Sequence, residues 1–265
     1  MNKKLQLLSN PMVNLKAKKN LALNVHSYFL SLAPSDISGH NVCPMANKIS
    51  QGEDKSYKSH CSSVCVAYNG MGSYPNVIKA RIRKTKLFFD DRQRFMALLI
   101  SDIEKAIIAS KEAGYIPTFR LNAYSDIRWE LMRVNDVENL NGYRFDIDRY
   151  NGKNIFEIFP NITFYDYTKL SNRKPPSNYH LTVSYFGNEL EHQRALNNGF
   201  NVAMVFDTPK GEALPEFYDG KKVVDGDKTD LRTPENDGIN SIVGLRFKGS
   251  KANKSALLDS FVVRA

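Results

Sequence analysis

No stretch of this sequence stays apolar for the roughly 18 residues that a membrane-crossing helix needs, which excludes a helical membrane span. Cysteine is scarce, with 3 in 265 residues. An odd, small number of cysteines excludes a disulfide-stapled secreted scaffold. The first twenty positions are basic but hold no sustained apolar core and no small-residue cleavage site. They lack the form of a secretory signal, so the expected location is the cytoplasm. There is no internal repeat and no low-complexity tract, which excludes solenoids and propellers. A Walker glycine loop, an H-E-x-x-H helix, a G-x-S-x-G elbow and a dinucleotide-binding glycine fingerprint are also missing.

What remains is an ordinary globular balance, 42% hydrophobic and 25% charged. A chain of this length buries a sizeable core without metal or disulfide staples. The net charge of +9 favours nucleic acid or phosphate partners by long-range attraction, although solvated surface lysine explains it equally well.

Residues 1–25 are polar and basic and read as an arm or a first strand. Residues 40–76 form a long loop that holds every cysteine. Helices are expected over Asn76–Phe88 and, capped by Asp90, over the apolar stripe of Phe95, Met96, Leu99, Ile100, Ile103, Ala106 and Ile107, ending at Gly114. Strand signals recur at Tyr115–Leu121, Ile162–Thr168, His180–Phe186, Asn201–Phe206, Lys221–Val224 and Ser241–Phe247, with a polar helix at Glu189–Asn198. Alternation of strand, connector and strand predicts a single α/β domain spanning 1–265. Its core is a parallel sheet better suited to a partial (β/α) barrel than to a complete one.

The cysteines carry the clearest chemistry. Cys43 and Cys61 are separated by 17 residues, and Cys61 and Cys65 by 3. Such a cluster outside a secreted context is metal-binding or catalytic before it is structural. Three thiolates suit an iron–sulfur cluster with one iron left open. The competing reading is a Cys3His zinc site that adds His40, or His60 in its place. The bland reading is three unconnected buried thiols.

Polar residues also gather where strands should end. In parallel α/β sheets ligands bind at the carboxyl ends of strands. Arg120, Asn122, Ser125 and Asp126 follow one strand, and Lys169 follows another. Arg120 suits a carboxylate or phosphate. Alternatively, Ser125 or Asp126 simply caps the segment starting at Ile127. Asp227 belongs to Asp225-Gly226-Asp227-Lys228-Thr229-Asp230-Leu231-Arg232, which lacks the spacing of a calcium loop and serves either a ligand or a turn. The basic run Lys79, Arg81, Arg83, Lys84 and Lys86 scatters around a helix, which favours a solvated face, with a nucleic-acid or phosphate contact as the alternative.

These segments together resemble a family of phage-encoded proteins of unknown function, similar to the gene product 88 group. The resemblance rests on Leu32-Ala33-Pro34-x4-Gly39-x3-Cys43-Pro44, on Cys61-x3-Cys65, and on the run from Ala80 to Thr85. It continues through Arg120-Leu121-Asn122-x2-Ser125-Asp126, Asp166-Tyr167-Thr168-Lys169, and Asp225 to Arg232 leading into Val243-Gly244-Leu245. It implies an architecture similar to radical S-adenosylmethionine enzymes, although the spacing here differs from their CxxxCxxC. Under that resemblance Cys43, Cys61 and Cys65 hold a [4Fe–4S] cluster. Arg120, Asn122, Ser125, Asp126, Lys169 and Asp227 hold S-adenosylmethionine or a substrate that is a nucleotide or nucleic acid. An electron donor would be a partner, the membrane would not, and the protein would act in the host cytoplasm. The alternative it leaves is a zinc-stapled, non-catalytic nucleic-acid-binding protein.

Overall fold

The computed structural model describes residues 5–45, 65–68, 70–134, 147–248 and 261–265. Cys61 lies outside the described residues, as does much of the cysteine-bearing loop. The elements in chain order are α1 (Leu15–Asn20), β1 (Val25–Phe29), α2 (Ser35–Ser38), α3 (Pro75–Asp90), α4 (Arg92–Glu112), β2 (Ile116–Arg120), α5 (Ile147–Tyr150), α6 (Ile155–Ile158), β3 (Thr163–Thr168), β4 (Tyr179–Ser184), α7 (Glu189–Asn197), β5 (Asn201–Phe206), β6 (Phe217–Tyr218), β7 (Lys221–Asp225), α8 (Pro234–Asp237), β8 (Ile242–Arg246) and β9 (Val262–Val263).

The strands form one nine-stranded sheet in the order β1-β2-β3-β4-β5-β8-β7-β6. Every pairing is parallel except that of β6 with β7. The short β9 pairs with Val205 and Phe206, on the far end of β5 beyond the residues that meet β4. The first five strands lie side by side in sequence order, as in the opening of a barrel. The sheet nevertheless stays open, with β1 at one edge and the β6–β7 hairpin at the other. The helical alternation also breaks between β3 and β4, where residues 169–178 cross over without a helix. The expected α/β class and mostly parallel core are thus present; among the described residues nine strands stand where the sequence carries six strand signals, and the sheet stays open.

Burial on both faces explains why β1 (Val25-His26-Ser27-Tyr28-Phe29) carries no alternating pattern, since all five residues are buried. Its even positions face α4: His26 and Tyr28 both reach the Ser110 hydroxyl, at 3.2 and 2.9 Å. Its odd positions face α1, where Ser27 bonds Asn20 at 2.7 Å and Thr118 at 2.8 Å. The main core joins Tyr28, Phe119 and Phe164 of the sheet to Phe95, Met96, Leu99, Ile100 and Ile103 of α4. These residues are the predicted apolar stripe. A second cluster packs Ala195 and Leu196 of α7 on Val183, Val202, Met204, Phe206 and Ile242.

Two boundaries move. Asp91, not Asp90, caps α4, accepting from the Arg94 amide at 3.0 Å, because α3 continues through Asp90 and leaves one residue between the helices. Residues 5–24 are neither an arm nor a strand. Leu7 and Leu8 are buried, Asn14 caps α1, and the first strand starts at Val25. The amides of Leu7 and Leu8 bond the Asp102 carboxylate of α4, which anchors this end of the chain. Among the described residues no helix is long and apolar enough to cross a membrane.

Candidate functional site at the carboxyl edge of the sheet

The carboxyl ends of β2 and β3 carry a dense buried polar network. Asp166 of β3 reaches across to the chain leaving β2, accepting from the amides of Asn122 at 2.7 Å and Leu121 at 3.3 Å and from the Tyr179 hydroxyl at 2.9 Å. Its carboxylate lies 4.0 Å from Arg120 Nε. Burial pushes the Asp166 carboxyl up to about 7, against the opposing pull of Arg120 and these hydrogen bonds. Burial, followed by the Asp166 charge, drives the Tyr179 phenol well above its ordinary range.

Asn122 is the hub of the next turn. Its Oδ1 accepts from Ser125 Oγ at 2.8 Å, the Ile127 amide at 3.0 Å and Trp129 Nε1 at 3.1 Å. Asp126 accepts from the Lys169 amide at 2.8 Å and from Arg173 at 3.2 Å, and Arg173 also reaches Glu130 at 2.5 Å. Neither Ser125 nor Asp126 caps the segment at Ile127: Ser125 Oγ turns to Asn122, the Asp126 carboxylate is taken by Lys169 and Arg173, and the helical turn that follows starts at Trp129 without a side-chain cap. The Lys169 ammonium lies 5.1 Å over the Phe186 ring.

Arg120 points to the opposite face. It bonds Asp230 at 2.9 Å and lies 4.8 Å over the Tyr167 ring. Asp230 in turn donates its amide to Asn20 at 2.9 Å. The segment around Asp230 thus crosses back over β1–β3, and Leu231 joins Ala17, Val25, Phe29 and Tyr165 beneath it.

The structure brings Arg120, Asn122, Ser125, Asp126 and Lys169 to one edge, as the strand-end argument expects. Asp227 lies on the same carboxyl edge, but beyond the end of β7, where its carboxylate serves β8 rather than this network. Asp227 binds the Arg246 amide at 3.0 Å, the Arg246 guanidinium at 3.2 Å and Lys248 at 2.7 Å. Burial raises the Asp227 carboxyl, but Lys248 and Arg246 outweigh it and hold it below its usual value. Its role is to fasten the turn after β7 to β8. Arg173, Glu130 and Tyr179 carry the network, and the sequence reading missed them. Arg173 sits in a loop before two prolines that reads as solvent-exposed, and only its carboxylate partners, Asp126 and Glu130, disclose its burial.

Cys43 and Cys65, the two cysteines among the described residues, flank the same edge. The thiol of Cys43, half-buried, donates to the Tyr124 carbonyl at 3.5 Å, and the neighbouring Val42 carbonyl accepts from the Asp126 amide at 2.8 Å. Arg81 stands 5.3 Å over the Tyr124 ring. Its fork donates to the carbonyls of Ala67, at 3.0 Å, and Gly72, in the turns that follow Cys65. Tyr68, bonded to Asp36, is pushed above its ordinary range by burial and by Asp36, and it senses both Cys65 and Arg81. Among the described residues His40, Cys43 and Cys65 do not converge as a three-ligand group. His40 instead stacks on Phe89, with 4.4 Å between ring centroids.

The basic run departs from the solvated face expected of it. Arg81 is 2% exposed and tied to backbone carbonyls. Lys84 donates to the Leu7 carbonyl at 2.5 Å, and burial lowers its pKa to about 8. Only Lys79, Arg83 and Lys86 are exposed. The two inward cations have backbone partners outside their own helix, which helical periodicity does not reveal.

Fold and site together define an open parallel α/β protein with a buried charge network and a cysteine-bearing loop at its carboxyl edge. Residues 4–260 match the gene product 88 family, and the chain belongs to that phage gene product family. Comparison with curated proteins and with solved structures gave no match.

Proposed function

We propose that this gene product 88 family member is a metal protein in which Cys43, Cys61 and Cys65 hold a [4Fe–4S] cluster beside the carboxyl edge of β1–β3. The observation that supports this reading is the anchoring of the cysteine loop. It leaves the carboxyl end of β1, and Cys43 bonds the Tyr124 carbonyl at 3.5 Å, in the turn that follows β2. Ligands of parallel α/β sheets sit at this edge. Arg81 stands over the Tyr124 ring beside the Cys43 bond and holds the turns that follow Cys65.

Bound there, a cluster with three thiolate ligands supplies one-electron chemistry and one iron open to an amino-carboxylate ligand such as the methionine part of S-adenosylmethionine. The chain's own contribution is positional. Arg120, Asn122, Ser125, Asp126 and Lys169 stiffen the rim on which cofactor and substrate rest, through bonds that link β2, β3 and the crossing segment. The net charge of +9 favours a nucleotide or nucleic acid as substrate, with a separate electron donor as partner.

The test is metal analysis of protein purified without oxygen. Brown protein containing iron and sulfide, with the iron lost in Cys43→Ala, Cys61→Ala and Cys65→Ala, supports the reading. Colourless protein carrying one zinc, lost also in His40→Ala, overturns it in favour of a zinc staple.

A further inference from the structure

A second cluster of metal-binding groups lies away from the cysteines, where α7 meets the β6–β7 turn. Glu189 and His192 are three positions apart on α7, so both project from one face of the helix. Asp219 sits at the tip of the turn between β6 and β7, with a left-handed φ of 49°. His192 Nε2 is 3.5 Å from Asp219 Oδ2 and 4.0 Å from Glu189 Oε1. All three ligand atoms lie within 4.8 Å of one another.

The imidazole makes this more than an acidic patch. His192 is 2% exposed, yet neither ring nitrogen has a hydrogen-bond partner. A buried polar atom without a partner costs on the order of 1–3 kcal/mol, and structures rarely leave one so. Tyr185 packs edge-on against the ring at 5.8 Å and fixes its plane. Nε2 therefore faces two carboxylate oxygens that are open to solvent on their far side, at 65% exposure for Glu189 and 48% for Asp219.

We propose that Glu189, His192 and Asp219 form a binding site for a divalent cation of the zinc class, which clamps α7 to the β6–β7 hairpin. A tetrahedral zinc with ligands at about 2.0–2.2 Å sets the ligand atoms about 3.3–3.5 Å apart; the His192–Asp219 spacing of 3.5 Å already matches this, and the exposed Glu189 side chain, at 4.0 Å, closes the rest. One imidazole and two carboxylates neutralise the charge of the ion and leave a fourth position for water. Imidazole with carboxylate suits zinc and its first-row neighbours better than magnesium or calcium, which take oxygen ligands alone. The Gln193 amide donates to both reacting oxygens, to Glu189 Oε1 at 3.0 Å and Asp219 Oδ2 at 2.7 Å. Each carboxylate oxygen keeps a second lone pair for the metal, and the amide orients both toward it. The site shares no residue with the thiolate centre, so the two stand or fall separately.

The test is titration of the metal-free full-length protein with Co²⁺ and then Zn²⁺, followed by absorption and calorimetry. Cobalt at this site gives weak visible bands without the intense near-ultraviolet thiolate band that cobalt at cysteine shows, so the two sites are told apart in one spectrum. The expected result is one such nitrogen–oxygen site, displaced by zinc, with affinity at least about tenfold weaker in Asp219→Asn and in Glu189→Gln. Both of those side chains are exposed, so the variants fold even if His192→Ala does not. Zinc should also raise the melting temperature of wild type but not of Asp219→Asn. Absence of a nitrogen–oxygen cobalt site in wild type, or unchanged affinity in both carboxamide variants, overturns the proposal.

Discussion

Arg120 and Asp230 lie 110 residues apart in sequence and 2.9 Å apart in space. Their side chains are 6% and 12% exposed, so the pair is withdrawn from water on both sides. It ties the segment after β7 to the end of β2, across a face that α1 also covers. Burial works against the Arg120 charge, and Asp230, followed by Tyr167 and Asp166, outweighs it.

Breaking this pair from one side strands a buried charge. Arg120→Ala and Asp230→Ala are each expected to lower unfolding free energy by about 3–5 kcal/mol. The double variant should cost well below the sum of the two. Urea denaturation of the three variants checks this through a double-mutant cycle, and additive losses would contradict the coupling.

Asp166 makes stability pH-dependent in an unusual direction. Its carboxyl is raised from 3.8 to about 7 by burial, so between those values the folded state binds a proton that the unfolded state has released. Its contribution to stability therefore declines as pH rises from 3.8 toward 7. Asp166→Asn removes that decline. Urea midpoints measured across the window should lie closest at low pH, where the wild-type carboxyl is neutral like the amide of Asp166→Asn, and should separate toward pH 7 as wild type alone loses stability.

The inward and outward members of the basic run should behave differently. Arg81→Ala frees two backbone carbonyls and should cost about 1.5–3 kcal/mol or more. It should also speed alkylation of Cys65, because the turns following that residue lose their anchor. Charge reversal at the exposed Lys79, Arg83 and Lys86 should change stability by less than about 0.5 kcal/mol. If these three serve nucleic acid, their reversal weakens binding and flattens its salt dependence, measurable by fluorescence anisotropy at several salt concentrations.

Gly226 has no room for a side chain. A Cβ there would meet Val243 Cγ1 at 2.5 Å, Leu245 Cδ2 at 3.0 Å and the Gly244 carbonyl oxygen at 3.1 Å. Gly226→Ala is expected to destabilise by about 1–3 kcal/mol through overpacking, read as a lowered melting temperature. Gly152→Ala meets no atom within 4 Å and separates steric crowding from the strain of its φ of 73°.

Local pattern and chain order made several elements legible before any coordinates. The apolar stripe of α4 announces itself because its residues recur with the helical period and all face the sheet. The short apolar runs of β3, β5 and β8 and the glycine after α7 are equally local signals. So is the gathering of Arg120, Asn122, Ser125 and Asp126 at a strand end, since strand direction alone places them on the carboxyl edge. By contrast, β1 lacks alternation because both its faces are covered, and its polar residues His26 and Ser27 hide it. Asp91 takes the cap from Asp90 because α3 runs two residues past Phe88, to Asp90 itself.

Tertiary structure alone decided which charges turn inward and whom they meet. Arg81 and Arg83 are indistinguishable in sequence, yet one is buried against carbonyls of turns that precede its own helix and the other is exposed. Arg173 is buried only because Asp126 and Glu130 arrive from 43 or more residues away. His192 comes within 3.5 Å of Asp219 through the packing of a helix on a hairpin. Periodicity within a short window reports which face of an element is apolar. The partner of a buried charge is set by long-range packing, where desolvation forces each ion to find an opposite charge or a carbonyl, and no local window contains that partner.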